Sequence, residues 1–397
     1  MTKAGCDMSL DQKMSAVLRK ITDSGLVPGN AIMIGKDGRK IYEKYNGYAD
    51  LNGSVSIDPG TVYRMYSMTK VVTAVAVLQL WEKGGFQMDD PVSDYIPEYG
   101  SMRVVRADGS VHAAKNKMTV RHLLTMTSGI GYSDDHGYYA DFAKRWNEQI
   151  VEGKAWDTVR AAKELTKVPL LFEPGERYCY GFSYDVLGAL VEVISGMNLK
   201  DYCRKFIFAP LGMMDSGFEI DENNRGKMAA ACRKTPDGLA EYDGIDCPVI
   251  DVMRFTNPVF YSGGAGLVST LEDYFTFTWM LAEGGALNGV RILNKSTVDM
   301  MRRPQLTNSQ RMAYNDPKED ASTFGLEYTY GFGVRVLSDP QPDTVLSPDE
   351  WGWSGALGTW MAIDPEEHIF FVYAHQHNPP LHKTYVPEIW QAIREAL

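Results

Sequence analysis

A serine and a lysine stand three residues apart in the segment MYSMTKVVTA, where Ser67 and Lys70 precede a long apolar run. Residues at positions i and i+3 share one face of a helix, so this spacing predicts that the lysine amine can reach the serine hydroxyl. A serine hydroxyl becomes an effective nucleophile when a neighbouring base removes its proton, and a neutral lysine can be that base. The pair therefore indicates nucleophilic catalysis by a serine.

Lys70 can act as a base only if its amine is neutral near physiological pH. The ordinary pKa of a lysine is about 10.4, so it must fall by roughly 3 to reach neutrality. We expect the positive end of the helix dipole and burial among apolar neighbours to lower it, because both disfavour the ammonium form. An S-x-x-K tetrapeptide arises by chance in many long proteins, so its meaning depends on the elements around it.

The two ends of the chain carry the patterns of an antiparallel sheet with flanking helices. Ser9 begins a capping box that predicts a first helix ending near Gly25, and Asp37-Gly38 predicts a tight hairpin between two β-rich runs. A final amphipathic helix is predicted at the C-terminal end. Further strands are predicted at 266–269, 330–337, 358–363 and 368–374.

The middle of the chain shows mainly helical periodicity. The strongest runs are Ser67–Lys83, Thr119–Thr125, Trp156–Thr166, Ser183–Ser195 and Leu199–Ile207. A short hairpin is expected around Asp108-Gly109, and residues 308–322 are the polar stretch most typical of a loop. These patterns predict an α+β fold. Residues 1–66 and 256–397 would form the sheet domain, residues 67–255 a mainly helical subdomain, and the active site would lie between them.

Five segments follow one another along the chain: 61–70 around S-x-x-K, TVRHLLTMTSG at 119–129, PGERYCY at 174–180, GGAGLVS at 263–269 and GWSGALG at 352–358. In this order they resemble the serine β-lactamase and penicillin-binding-protein superfamily, to which the S-x-x-K signature belongs. More narrowly they are similar to the class C β-lactamases and the family VIII carboxylesterases. The resemblance runs from about residue 10 to 375 and implies a β-lactamase/transpeptidase-like fold.

The resemblance also implies a role for each matched residue. Ser67 would be the acylated nucleophile and Lys70 its base, while Tyr180 would share their proton transfer in acylation and deacylation. The oxyanion hole would consist of the backbone N–H groups of Ser67 and Ala356. No cofactor is implied. Without the resemblance, the residues around Tyr180 would favour a role for it in core packing.

Two positions depart from the β-lactamase pattern. Phe182 stands where class C enzymes usually carry Asn, and Trp353 stands where the third motif usually opens with Lys. Together with Ser354 and Gly355 of that motif, they are predicted to bind substrate. A charge-assisted hydrogen bond is worth about 1.5–3 kcal/mol, so loss of the lysine would weaken the binding of a substrate carboxylate. An uncharged ester would lose nothing.

The sequence therefore predicts a serine hydrolase that forms an acyl-enzyme, with carboxylesterase activity on small esters or amides as the first interpretation. A β-lactamase or D-amino-acid peptidase is the alternative within the same chemistry. An acyltransferase or a non-hydrolysing acyl-binding protein is the alternative outside hydrolysis. The sequence contains no G-x-S-x-G elbow, which argues against an α/β-hydrolase.

Charge and composition exclude several classes of partner. The net charge is -11 at pH 7 without a cluster of Lys and Arg, which disfavours nucleic acid and leaves a small acyl molecule as the expected ligand. The most apolar run, Val71–Trp81, is too short to span a bilayer, so no membrane partner is expected. Five cysteines without a CxxC pair fit reduced thiols, and we expect a cytoplasmic protein. The oligomeric state stays open.

Three histidines could suggest other chemistry. His375 and His377 alternate along a predicted strand, but a metal site needs a third ligand that cannot be assigned from the sequence, so structural roles are favoured. His122 is expected to be a buried hydrogen-bonding residue rather than a catalytic base.

Overall fold

A seven-stranded antiparallel sheet forms the centre of the fold in the computed structural model, which describes residues 8–132, 136–152, 154–220, 226–242, 259–316, 327–340 and 344–397. The strands, in chain order, are β1 (Gly29–Lys36), β2 (Arg39–Gly47), β3 (Val62–Arg64), β4 (Arg103–Val105), β5 (Val111–Ala113), β6 (Cys232–Thr235), β7 (Gly238–Glu241), β8 (Val268–Thr270), β9 (Ala286–Leu287), β10 (Val290–Arg291), β11 (Glu327–Tyr330), β12 (Arg335–Asp339), β13 (Trp351–Ser354), β14 (Trp360–Asp364), β15 (Ile369–Ala374) and β16 (His377–Asn378). The central sheet has the order β11-β12-β13-β14-β15-β1-β2, so its strands come from both ends of the chain. This confirms the predicted pairing of the two ends.

Helices fill most of the segment between the two groups of sheet strands. The α-helices are α1 (Leu10–Asp23), α2 (Thr69–Glu82), α3 (Val120–Leu124), α4 (Tyr138–Val151), α5 (Thr158–Leu165), α6 (Ser183–Ser195), α7 (Leu199–Cys203), α8 (Ala209–Leu211), α9 (Leu271–Ala282), α10 (Lys295–Met301), α11 (Asn308–Tyr314) and α12 (His382–Ala396). Short 3₁₀ turns cover Tyr66–Met68, Val92–Asp94 and Pro97–Ser101, and a π-helical turn covers Arg204–Phe208. No helix within the described residues is long and apolar enough to cross a membrane.

Both faces of the central sheet are covered by helices. Successive residues of a strand point to opposite faces. On β15, Phe370 stacks against Phe275 of α9, whereas Phe371 contacts Trp390 of α12 edge to face. Because both faces are buried, β15 is apolar along its whole length and every residue in it is buried. The sheet is therefore a rigid support from which β13 and the turn after it reach the site.

Local sequence signals fixed several element boundaries correctly. The capping box at Ser9 is present, with the Ser9 hydroxyl accepting from the Gln12 N–H and the Gln12 side chain accepting from the Ser9 N–H. The Asp37-Gly38 turn joins β1 to β2, and the pair around Asp108-Gly109 forms β4 and β5. Helix α6 has the predicted bounds. These features depend on neighbours in sequence, which explains why the sequence predicts them.

Other predictions were wrong where tertiary packing decides the backbone. Residues 330–337 are two strands rather than one, because the chain turns between Tyr330 and Arg335 and pairs with itself. The predicted loop at 308–322 begins as helix α11, which a Thr307 capping box starts; residues 317–322 lie outside the described residues. The helix predicted to begin at Ser67 begins instead at Thr69, after a 3₁₀ turn. The division of the chain into two domains stays a prediction.

Candidate active site

The candidate nucleophile lies on a tight turn that other elements hold from several sides. Ser67 is the middle residue of the 3₁₀ turn before α2 and is partly exposed. The Met65 N–H donates to the Leu267 carbonyl at 2.9 Å, which continues the β3–β8 pairing into this turn. The Tyr274 hydroxyl donates to the Met68 carbonyl at 2.9 Å. The backbone that carries the serine is therefore held by contacts from the residue before β8 and from α9.

The residue before the serine has an unusual backbone conformation. Tyr66 has a φ of 43°, in the left-handed region that a tyrosine rarely adopts. Such a residue costs on the order of 1–3 kcal/mol and persists only when its surroundings hold it. The Tyr66 side chain is buried in a small cluster with Ala231, Ala265 and Leu357. This packing ties the nucleophile turn to Leu357, which belongs to the turn after β13.

Lys70 is fully buried and its amine meets three oxygen atoms. Its Nζ lies 3.1 Å from Ser67 Oγ, 2.8 Å from the carbonyl oxygen of Gly264 and 3.3 Å from the hydroxyl oxygen of Tyr132. The prediction that the Lys70 amine can reach the Ser67 hydroxyl is thus confirmed, because the two atoms lie at a hydrogen-bond distance. An amine in this position can take the Ser67 proton without leaving its place.

Tyr180 also lies beside the lysine amine. The centroid of its ring is 4.6 Å from Lys70 Nζ and 5.9 Å from the ring of Trp353. The Cys179 N–H, just before it, donates to the Met126 carbonyl at 2.9 Å, and α6 begins three residues after the tyrosine. Tyr180, which is distant in sequence from Ser67 and Lys70, therefore meets them at one place.

Tyr132 is a site residue that the sequence reasoning missed. Its hydroxyl is within reach of Lys70 Nζ, and its ring packs edge to face against Tyr180 at 5.5 Å and Phe182 at 4.5 Å. The sequence signal for Tyr132 is its position three residues after Gly129, which is the last residue of the segment TVRHLLTMTSG.

The turn after β13 approaches the nucleophile turn closely. A Cβ on Gly355 would lie 2.5 Å from the Met65 carbonyl oxygen and would collide with Thr359 Oγ1, so only glycine fits at this position. The Gly355 N–H donates to the Thr359 carbonyl at 2.8 Å, which closes the turn. Ala356 is exposed at its tip, and Ser354 at the end of β13 is partly exposed. The contact brings the Ala356 segment to the Ser67 segment, as two oxyanion donors require.

The two aromatic residues that depart from the β-lactamase pattern are both buried. Phe182 packs against Tyr132, Phe142 and Trp146, with ring centroids 4.5 to 6.2 Å apart. Trp353 lies between the rings of Tyr180 and Tyr330. Trp353 therefore borders the site directly, whereas Phe182 lies behind Tyr132. Contact of either ring with substrate stays a prediction.

The histidines have structural surroundings. Burial lowers the pKa of His375 to about 3, and its Nδ1 is 3.1 Å from the Tyr373 hydroxyl. The His377 N–H donates to the Leu357 carbonyl at 2.8 Å, so this strand supports the turn after β13. His122 Nδ1 accepts from the Thr119 N–H in a capping box, and burial lowers its pKa. Within the described residues no group of side chains could hold a metal ion.

A serine with a buried lysine one helical turn away, at the side of an antiparallel sheet, defines a serine hydrolase of the penicillin-recognising type. The chain belongs to the Beta-lactamase family, whose profile matches residues 14–394. The predicted family is thereby confirmed.

Known proteins resemble this chain along most of its length. A Mycobacterium tuberculosis protein is 30% identical, with 94% of this chain and 92% of that protein covered. Esterase EstB of Burkholderia gladioli is 28% identical, covering 90% and 88%. Acyltransferase calJ of Penicillium decumbens is 28% identical, covering 86% and 82%. Among solved structures, unliganded simvastatin synthase (LovD) from Aspergillus terreus superposes with a TM-score of 0.82 at 22% identity over 98% of each chain, which shows the fold. The predicted α+β, β-lactamase/transpeptidase-like fold is confirmed.

Proposed function

We propose that this serine hydrolase is a carboxylesterase that cleaves small uncharged esters through an acyl-enzyme on Ser67. The observation that carries the proposal is the fully buried Lys70 amine, 3.1 Å from Ser67 Oγ. Burial disfavours the ammonium form, so this lysine is suited to accept a proton. The residue that would lose the proton, Ser67, is partly exposed, as access by a substrate requires.

The proposed reaction has two halves. Lys70 takes the Ser67 proton while Oγ attacks the ester carbonyl carbon, and the N–H groups of Ser67 and Ala356 bind the oxyanion that forms. The oxyanion collapses, the alkoxide leaves with the proton held by Lys70, and Tyr180 shares this transfer. Water then attacks the acyl-enzyme and gives up a proton to the same groups. Ser67 is restored and a carboxylic acid is released.

The preference for an uncharged ester is supported by the residues beside the nucleophile. Trp353, which is buried between Tyr180 and Tyr330, stands where the β-lactamase pattern offers a lysine. An indole offers no cation to a substrate carboxylate, and the aromatic cluster favours apolar groups next to it. The relative EstB, an esterase by name, supports the same activity.

Acyl transfer to an alcohol or amine is the second candidate. The observation that favours it is the relative calJ, an acyltransferase by name, which covers 86% of this chain. The chemistry differs only in the second half, where an acceptor molecule replaces water at the acyl-enzyme.

Covalent labelling tests the nucleophile. A fluorophosphonate should add its mass to the wild-type protein at Ser67 and not to Ser67→Ala. Ser110→Ala, at an exposed loop position, is the matched control and should label like the wild type. Labelling that persists in Ser67→Ala would contradict the assignment.

A substrate panel tests the preference. We expect p-nitrophenyl butyrate to be turned over faster than nitrocefin or a D-alanyl-D-alanine peptide. Faster turnover of nitrocefin would favour a β-lactamase, and faster turnover of the peptide would favour a D-amino-acid peptidase. An added alcohol that captures the butyryl group in place of water would favour the acyltransferase.

The cytoplasmic location predicted from the sequence is also part of the proposal. Cys203 and Cys232 are buried free thiols, which fits a reducing compartment. A small acyl molecule is the proposed ligand.

A further inference from the structure

A buried carboxylate lies behind Lys70, and none of the steps above uses it. Asp185 is the third residue of α6 and is only 8% exposed. A carboxylate in the first turn of a helix is favoured by the helix dipole, but burying a charge is costly unless it is hydrogen-bonded and paired. The surroundings of Asp185 therefore need an explanation.

The carboxylate binds the glycine-rich turn before β8. The Ser262 hydroxyl donates to Asp185 Oδ1 at 2.6 Å, and the Gly264 N–H donates to the same oxygen at 3.3 Å. Ser262 Oγ in turn accepts from the Ala265 N–H at 2.9 Å, so its own proton is free to point at the carboxylate. The Asp185 side chain thus holds two residues of this turn, Ser262 and Gly264.

The same turn binds the candidate base. Lys70 Nζ donates to the Gly264 carbonyl at 2.8 Å, while the Gly264 N–H faces Asp185. A Cβ on Gly264 would lie 2.7 Å from Asp185 Oδ2 and 3.3 Å from the Tyr132 hydroxyl, so a side chain cannot fit there. Gly264 therefore connects the two groups, because its N–H binds the carboxylate and its carbonyl binds the lysine amine.

Electrostatic interactions also connect Asp185 with Lys70. Burial raises the pKa of Asp185, and the hydrogen bond from Ser262, the positive charge of Lys70 and the Gly264 N–H oppose this rise only in part. Three further titratable groups of the described residues face Lys70 or Asp185: Tyr132 and Tyr180 face the lysine amine, and the buried Tyr99 interacts electrostatically with Asp185, which itself interacts with Lys70. The two hydrogen bonds to Asp185 Oδ1 and the nearby Lys70 favour the ionised carboxylate against the effect of burial.

We propose that Asp185 is an ionised positioning residue for Lys70: it holds the turn whose Gly264 carbonyl binds the amine, and its charge sets how readily that amine gives up its proton. The inference rests on the proposed function, because it concerns the base of that reaction. Without the carboxylate, the ammonium form of Lys70 would lose a stabilising neighbour and the amine would become a weaker base.

The test is the pH profile of Asp185→Asn, which keeps the shape of the side chain and removes its charge. For p-nitrophenyl butyrate, kcat/KM should rise with pH as Lys70 becomes neutral. In Asp185→Asn we expect this rise to move to lower pH by roughly one unit, and the plateau to fall about 3- to 10-fold because the base is weaker.

Asp273→Asn is the matched control. Asp273 is also the third residue of its helix, α9, and it also accepts from a serine hydroxyl, Ser216, and from a backbone N–H, that of Asp215. It is about as buried as Asp185, at 9% exposed. We expect its substitution to leave the pH profile where it is in the wild type, whatever it does to the melting temperature.

Two results would overturn the inference: a profile of Asp185→Asn that coincides with that of Asp273→Asn, or one that moves to higher pH. Fluorophosphonate labelling of the wild type separates this failure from failure of the proposed function. If Ser67 is not labelled, the proposed function fails. If Ser67 is labelled and the profile does not move, only the role of Asp185 is wrong.

Ser262→Ala keeps the inference testable if Asp185→Asn does not fold. This variant removes a bond to the carboxylate and leaves its charge in place. We expect kcat to fall about 3- to 10-fold through the loosened turn, with the profile moving far less than one unit. A wild-type kcat in Ser262→Ala would contradict the positioning role.

Discussion

At the scale of single residues, the chemistry depends on where the Lys70 amine is held. A lysine side chain has four methylene groups and many rotamers, so a base at its end is useful only when its position is fixed. Ser67 Oγ, the Gly264 carbonyl and the Tyr132 hydroxyl all lie within 3.3 Å of the amine. These contacts place the amine beside the hydroxyl that would lose its proton in the proposed reaction.

Replacing the lysine should separate its role as a base from its role in packing. Lys70→Met keeps the length and apolar stem of the side chain but cannot accept a proton. General-base catalysis contributes about 10²- to 10⁴-fold, so we expect kcat for p-nitrophenyl butyrate to fall by that factor. Lys83→Met, at the exposed end of the same helix, is the control and should retain wild-type activity. Lys70→Met with more than about a tenth of the wild-type rate would rule out this base.

At the scale of elements, the site is the contact between two turns. The 3₁₀ turn with Ser67 comes before α2, and the turn with Ala356 joins β13 to β14. Gly355 lets the two backbones touch, and the Tyr66 side chain packs against Leu357 on the other turn. Each turn holds the other in place, so the arrangement of the site depends on both.

Adding one methyl group at this contact should push the turns apart. In Gly355→Ala the new Cβ would lie 2.5 Å from the Met65 carbonyl oxygen, which is backbone and cannot swing away. Loss of one oxyanion donor costs roughly 10²- to 10³-fold in kcat, and we expect a fall of this order.

The control for this variant is Gly100→Ala. There the new Cβ would be 3.6 Å from Ser93 Cβ, an ordinary contact, so activity should be preserved. Wild-type kcat in Gly355→Ala would show that the Ala356 N–H does not serve as an oxyanion donor.

At the scale of the whole molecule, two buried histidines make the fold sensitive to acid. Burial lowers the pKa of both His375 and His382 to about 3, and the positive charges of Arg335 and Lys383 act in the same direction on His382. Both are therefore neutral in the folded state, whereas in the unfolded chain they take up protons below about pH 6.5. Their contribution to stability is present above about pH 6.5 and is lost as the pH falls towards 3, by up to roughly 4–5 kcal/mol for each histidine.

Removing one of these groups should flatten the acid side of the stability profile. His382→Gln cannot take up a proton, so we expect its free energy of unfolding to fall less between about pH 7 and pH 4, by about 3 kcal/mol, than that of the wild type. Urea unfolding at a series of pH values measures this difference. His136→Gln, at an exposed position, should follow the wild type. Equal pH dependence in His382→Gln and the wild type would contradict the buried neutral state.

Much of the fold follows from patterns that are local in sequence. The capping box at Ser9, the hairpin at Asp37-Gly38 and the bounds of α6 depend on residues a few positions apart, and all three were predicted correctly. The predicted strand at 330–337 instead contains the turn of a hairpin between β11 and β12, and only the pairing of β12 with β13 involves a segment further along the chain. Helix α4 was not predicted, since its aromatic face packs against Phe182 rather than against a sequence neighbour.

The sequence by itself determined the spacing of Ser67 and Lys70, because one helical turn joins them and its geometry is the same in every protein. It also placed Tyr180 and the third motif in the expected order. Only the tertiary structure decided what surrounds the amine: the Gly264 carbonyl comes from 194 residues away and the Tyr132 hydroxyl from 62. The physical reason is that a helical spacing is a property of the backbone, whereas the burial and polarity around a side chain are properties of whatever segments fold against it.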